Sequence, residues 1–311
     1  MKKQSFVLKL KKDVVRNREL YILVLPAVAL LILFAYVPMY GITLAFKEYN
    51  PLLGITGSPW AGFVHFERFF KGYYFGEVLL NTFLISLFSL IVGFIFPIIF
   101  ALMLNNVESL RYKKTLQMIS YAPYFISTVV LVAMIDSFFD RDGIINNFIH
   151  LFNPDKTINF LTSPEMFRPL YVWSGLWQAL GWNSIIYISA LSSVSPELYE
   201  AAVLDGATIV QRIYYIDLPS ILPTVVTLLI LSVGNILSVG FEKVYLMQND
   251  LNIRASEIIS TYTYKVGLGS DFGVSDFSYG TAISLFNSII NITMLCSVNA
   301  ISRRVSETSL W

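Results

Sequence analysis

The chain has 311 residues, of which 55% are hydrophobic and only 14% charged, whereas soluble domains carry about 25% charged residues. With a mean hydropathy of +0.63, that composition argues against a soluble enzyme and predicts an all-α, polytopic membrane protein. The net charge of +1 gives no reason to expect nucleic-acid binding, and the lone Cys296 excludes an intrachain disulfide or a Cys/His metal site.

In chain order, residues 1–20 form a basic segment (Lys2, Lys3, Lys9, Lys11, Lys12, Arg16, Arg18) expected in the cytoplasm. An apolar run follows over about 21–46, longer than the core of a cleaved signal peptide, and reads as a retained first transmembrane helix despite Pro26 and Pro38. The segment 47–78 is rich in Trp60, Phe63, Phe66, Phe69, Phe70, Tyr73 and Tyr74, rings suited to a membrane interface. His65 in this segment and His150 further on read as surface or headgroup-level histidines. Second, third and fourth spans are predicted over about 79–104, 115–138 and 169–192. In hydrocarbon each backbone amide needs an internal partner, so apolar runs of this length should be helices. Residues 21–311 thus read as one transmembrane domain.

The fourth span mixes rings with amides: Tyr171, Trp173, Trp177, Gln178, Trp182, Asn183 and Tyr187. Sugars are held by aromatic rings against their apolar faces and by amides against their hydroxyls. At 100° per residue, Gln178 and Trp182 share one face with Tyr171, while Trp177 lies roughly opposite with Trp173. Gln178, Trp182 and Trp177 are therefore candidates for a substrate pathway, with helix packing as the competing role.

Residues 193–220 form an acidic connection. Ser195 is placed as an N-cap, Pro196 suits the first helical position, and Gly206 can end the helix in a left-handed conformation. A second amphipathic turn leads to Leu218-Pro219. The expected product is a compact helix–turn–helix with a small tip and an acidic edge, suited to docking a partner protein.

Glu200-Ala201-Ala202, Gly206 after three residues, and Ile216-x-Leu218-Pro219 after nine more resemble the Glu-Ala-Ala loop of ABC importer permeases. The resemblance implies a type I importer fold of six spans. It implies that Glu200, Ala201, Ala202, Asp205, Gly206 and Ala207 lie at or beside an ATPase subunit as a coupling helix. The chain would then be no enzyme and hold no cofactor, with ATP and magnesium bound by two cytoplasmic ATPase subunits. The chain carries no Walker A pattern of its own.

The fifth and sixth spans are predicted over about 221–241 and 279–300. Asn235 falls within the fifth. Ser284, Asn287, Ser288 and Asn291 form a polar stripe along the sixth, which must face protein or water rather than lipid. Asn235, Asn287 and Asn291 join the pathway candidates, against interhelical hydrogen bonding. With the N-terminus inside, the inner segments hold 13 of the 22 basic residues, which places both termini in the cytoplasm.

Tyr262-x-Tyr264-x-Val266-Gly267, Tyr279-Gly280-Thr281-Ala282, Phe286-Asn287-Ser288 and Ser309-Leu310-Trp311 are similar to polysaccharide-type carbohydrate permeases. That resemblance implies a bacterial cell-membrane subunit that pairs with a second permease, as a heterodimer, and receives oligosaccharides from an extracytoplasmic binding protein. A non-sugar small solute is the alternative cargo. An ion-coupled carrier would need ionisable groups near the membrane midplane, and only Asp136 and Glu242 stand near span ends. A membrane enzyme would need a clustered catalytic set, and none is visible.

Overall fold

The computed structural model describes residues 16–269 and 275–305. Most of the basic N-terminal segment and the terminal Ser309-Leu310-Trp311 lie outside the described residues. Apart from an isolated bridge between Lys47 and Trp60, the described chain is helical, as the backbone demand of a bilayer requires.

Helix α1 (Arg18–Leu31) continues through a π turn at Ile32–Tyr36 and a 3-10 stretch at Val37–Phe46. Pro38 lies in the first turn of that stretch, where its missing N–H costs least. No residue of α1 is buried, and Ala45 at the far end is the first to be so. Helix α2 (Val64–Lys71) buries Phe69 and His65. His65 is therefore not a surface side chain: its Nε2 donates to the Lys47 carbonyl at 3.0 Å and fastens the 3-10 stretch to α2.

The body is organised on α3 (Phe75–Asn105) and α7 (Pro164–Ser192), which pack along much of their lengths. Ile85, Val92, Leu131, Ile135, Phe167, Val172 and Val244 form the central cluster. A second cluster joins Phe69 and Val78 to Tyr262, Tyr279 and Ile283, and a third joins Ala101 and Leu102 to Tyr187, Leu191 and Ile221. At 29 residues α7 is long enough to span, but Glu165, Arg168, Gln178 and Asn183 dilute its apolar character.

Two predicted spans are not continuous. The segment 115–138 is split into α4 (Leu110–Tyr121), a 3-10 turn at Ala122–Phe125, and α5 (Thr128–Phe139). The two sides are bent by 98°. Pro123 weakens the helix at that point, Ile126 and Ser127 are extended, and the Ser127 side chain caps α5. A short helix, α6 (Ile144–Phe152), precedes α7.

After α7 come α8 (Pro196–Leu204) and α9 (Ile209–Arg212), a π turn at Ile213–Asp217, and α10 (Leu218–Gly234). The fifth span was expected to run to about 241 but ends at Gly234. Asn235 is therefore a helix-end residue rather than a mid-span one. Gly234 leaves no room for a Cβ against Leu295, and the chain turns there to enter α11 (Phe241–Met247), which re-enters the core through Val244. Helices α12 (Ile259–Gly267) and α13 (Phe277–Val305) complete the described fold. By length and composition, four helices can cross a membrane, or five if the bent pair counts as one span.

Candidate coupling loop and transmembrane cavities

The loop between α7 and α10 closes its own helix ends. Ser195 occupies the N-cap position of α8 but makes no side-chain cap bond, so Pro196 and the acidic first turn carry that end. Gly206 has φ +75, the left-handed geometry expected of it. The Gly206 N–H donates to the Val203 carbonyl at 3.1 Å and the Ala207 N–H to the Ala202 carbonyl at 2.9 Å. This pair of bonds is a Schellman closure. Thr208 then opens α9 with a capping box: its Oγ1 accepts from the Gln211 N–H at 3.3 Å, and Gln211 Oε1 accepts from the Thr208 N–H at 2.7 Å.

With its backbone satisfied internally, the loop leaves its side chains outward. Glu200, Ala201, Asp205 and Gly206 are exposed, while Ala202 and Ala207 are half-buried. Leu204 is 88% and Val210 73% exposed. Among the described residues, Glu200 has no ion pair. The tip thus presents small residues, bare apolar groups and an unpaired carboxylate on its outer surface.

The sequence reading missed what holds this loop to the body. Asp217 is fully buried. Its Oδ1 accepts from the Tyr199 hydroxyl at 2.6 Å and from Asn105 at 3.3 Å, and its Oδ2 accepts from Asn106 at 3.4 Å. Both asparagines end α3, so the carboxylate ties α8, α10 and α3 together. Burial first, and the neighbouring Asp217, push the Tyr199 hydroxyl up to about 12, so it stays a donor. The available signal was a charged residue between Ile216 and Leu218 in an otherwise apolar helix start.

The six pathway candidates do not converge on one site. Gln178 Nε2 donates to the Ile126 carbonyl, exposed by the break between α4 and α5, at 2.7 Å. Trp182 stacks on Tyr124 beside the same break, with centroids 4.4 Å apart and planes 3° from parallel. Asn291 performs the equivalent service at the end of α10: Oδ1 accepts from the Leu237 N–H at 3.2 Å and Nδ2 donates to Ser238 Oγ at 3.0 Å. Trp177 lines an apolar cavity of about 480 Å³ between α5 and α7.

Asn235, Asn287 and Gln178 do border polar cavities. Asn235 lines one of about 280 Å³ with Ser86, Ser89 and Asn183. Asn287 lines another of about 560 Å³ with Ser284 and Ser288, and its Oδ1 is buried without a hydrogen-bond partner. One ionisable side chain that the sequence did not single out is buried in the body. Lys243, on α11, is only 8% exposed and its Nζ donates to the Tyr171 carbonyl at 2.8 Å. The early end of α10 is what carries it inward.

A helical membrane body with a self-capped loop bearing a Glu-Ala-Ala tip defines the class of importer permeases. Residues 93–307 match the family described as binding-protein-dependent transport system inner membrane component. The chain is 39% identical over 298 residues to the polygalacturonan/rhamnogalacturonan transport system permease protein YteP of Bacillus subtilis (strain 168), covering 96% of this chain and 91% of that one. It is 38% identical to Protein LplB of the same organism, over 95% of this chain and 92% of that one. It also superposes on a chain of a bacterial alginate ABC transporter, crystallised in complex with an alginate pentasaccharide-bound periplasmic protein. There the TM-score is 0.88 at 37% identity, covering 97% of this chain and 100% of that one. The chain belongs to the family of binding-protein-dependent transport system inner membrane components. It is a multi-pass inner-membrane permease subunit and not itself an ATPase.

Proposed function

We propose that this chain forms, with a second permease subunit, the pathway of an ATP-driven importer for oligosaccharides delivered by an extracytoplasmic binding protein. Six crossings with both termini in the cytoplasm agree with the overall distribution of basic residues, although residues 193–220, placed inside with them, carry only Arg212 against four acidic residues. The fourth crossing is α7 and the third is the bent α4–α5 unit. Acidic oligosaccharides are the favoured cargo, because similar proteins are a polygalacturonan/rhamnogalacturonan permease and an alginate transporter.

The observation that carries this reading is the exposed, self-closed loop around Glu200 and Gly206. Its tip would sit in a cleft of an ATPase subunit, with Glu200, Ala201, Ala202, Asp205, Gly206 and Ala207 at the contact. A carboxylate there can pair with a basic group of the partner, and truncating one member of a desolvated pair costs about 2 to 5 kcal/mol. Gly206 has open space around it, so a substitution there strains only the backbone, and a β-branched residue at positive φ is an outlier. The expected outcome for Glu200→Lys and for Gly206→Val is a membrane-inserted protein with no uptake. ATPase subunits should be lost on purification, or stay bound without stimulation by loaded binding protein. Wild-type uptake with normal ATPase association in both variants would sink the coupling role.

A further inference from the structure

The mechanism of coupling leaves the buried Lys243 unused. Its Nζ lies 4.6 Å from the centroid of the Tyr171 ring and donates to the Tyr171 carbonyl. Among the described residues no carboxylate pairs with it. An ammonium has three donors, and a buried cation without a counter-charge is costly. Gly175 opens the space around it, since a Cβ there would come within 3.2 Å of Nζ.

That space belongs to a cavity of about 220 Å³ lined by Ser89, Asn183, Gln178 and Lys243. A second cavity of about 280 Å³ adjoins it, sharing Ser89, Tyr171 and Asn183 and adding Ser86. Ser86 Oγ and Ser89 Oγ are both buried without a hydrogen-bond partner. Buried polar groups are normally hydrogen-bonded, and these hydroxyls and this amine face adjoining spaces that a polar ligand could fill together. The Gln178 amide is already committed to Ile126, which leaves Lys243, Ser86, Ser89 and Asn183 as the available groups.

We infer that these adjoining cavities form a subsite for a carboxylate-bearing sugar, with Lys243 holding the carboxylate and Ser86, Ser89 and Asn183 holding ring hydroxyls. This assignment rests on the sugar-import reading above and specifies where the acid group would be recognised within this subunit. A uronate brings the counter-charge that would hold the buried Lys243 amine in its charged form, and a neutral sugar does not, so the site favours uronates.

The test uses the full complex with its binding protein in proteoliposomes, with trigalacturonate and the same trisaccharide after carboxyl reduction as probes. Lys243→Met should lower the acid-to-neutral uptake ratio tenfold or more, and Lys243→Arg should keep it within about threefold of wild type. Should the methionine variant fail to assemble, Lys243→Gln, which retains a polar group for the Tyr171 carbonyl, decides the matter by the same ratio. An unchanged ratio in the uncharged variant overturns the inference. A wild-type complex that imports the reduced trisaccharide and not the acid also overturns it, while sugar import stands. A complex that imports neither removes the sugar reading itself, and the subsite with it.

Discussion

The coupling loop and the broken spans both interrupt helices, but they satisfy the freed backbone in opposite ways. In the loop every closing bond is local: Ala207 to Ala202, Gly206 to Val203, Thr208 with Gln211. At the breaks inside the body the partners come from far along the chain. Gln178 reaches the Ile126 carbonyl across 52 residues, and Asn291 reaches the Leu237 amide across 54. A loop that closes itself keeps its side chains free for another protein. A break within the body spends polar side chains on its own backbone, because no water is at hand to replace them.

The contrast is most severely tested where the loop meets the body. Asp217 is a buried long-range anchor of the self-closed loop, and hydrogen bonds to a charged group contribute about 1.5 to 3 kcal/mol each. Asp217→Ala should therefore destabilise the purified complex by about 3 kcal/mol or more, read as a lowered midpoint of thermal unfolding. Binding-protein-stimulated ATPase activity should fall with it, although the tip residues are intact. Unchanged stimulation would mean that the loop positions itself by local closure alone.

A smaller effect is expected at the breaks. Gln178→Leu leaves the Ile126 carbonyl without its partner, at a cost of about 1 to 3 kcal/mol. Asn291→Leu should cost a similar amount, since the buried Leu237 loses the partner of its amide. Both are measured as detergent-solubilised thermal stability. If Gln178→Leu unfolds at the wild-type temperature, the amide is free and its assignment to the backbone is wrong.

The smallest stability effect belongs to Asn287, whose Oδ1 has no partner to lose. Asn287→Ala should leave thermal stability within about 0.5 kcal/mol of wild type, while changing sugar uptake per assembled complex. A marked loss of stability would place Asn287 with Asn291 among the packing residues and remove it from the pathway.

The polar stripe of the last span illustrates how far the sequence could be read. Ser284, Asn287, Ser288 and Asn291 share a face by helical period alone. Yet Asn287 and Asn291 do different things, because Asn291 meets the turn after Gly234 and Asn287 meets a cavity. Trp182 and Gln178 shared a face as pathway candidates, and the structure shows both against the break at Pro123, on Tyr124 and Ile126.

The sequence by itself determined that the chain is helical and membrane-embedded, since a bilayer admits little else for such apolar runs. It also determined the helix–turn–helix of residues 196–212, including the left-handed Gly206, because caps and Schellman closures involve residues only a few positions apart. The tertiary structure alone decided where spans 115–138 and 221–241 break, since hydropathy reports side chains and is blind to whether a backbone carbonyl finds its fourth neighbour. It alone brought Lys243 beside Tyr171, Asp217 beneath Tyr199, and Gln178 onto Ile126. Each of those contacts depends on how separate helices lie against one another, and that arrangement is fixed by packing across the whole body rather than by any local run of residues.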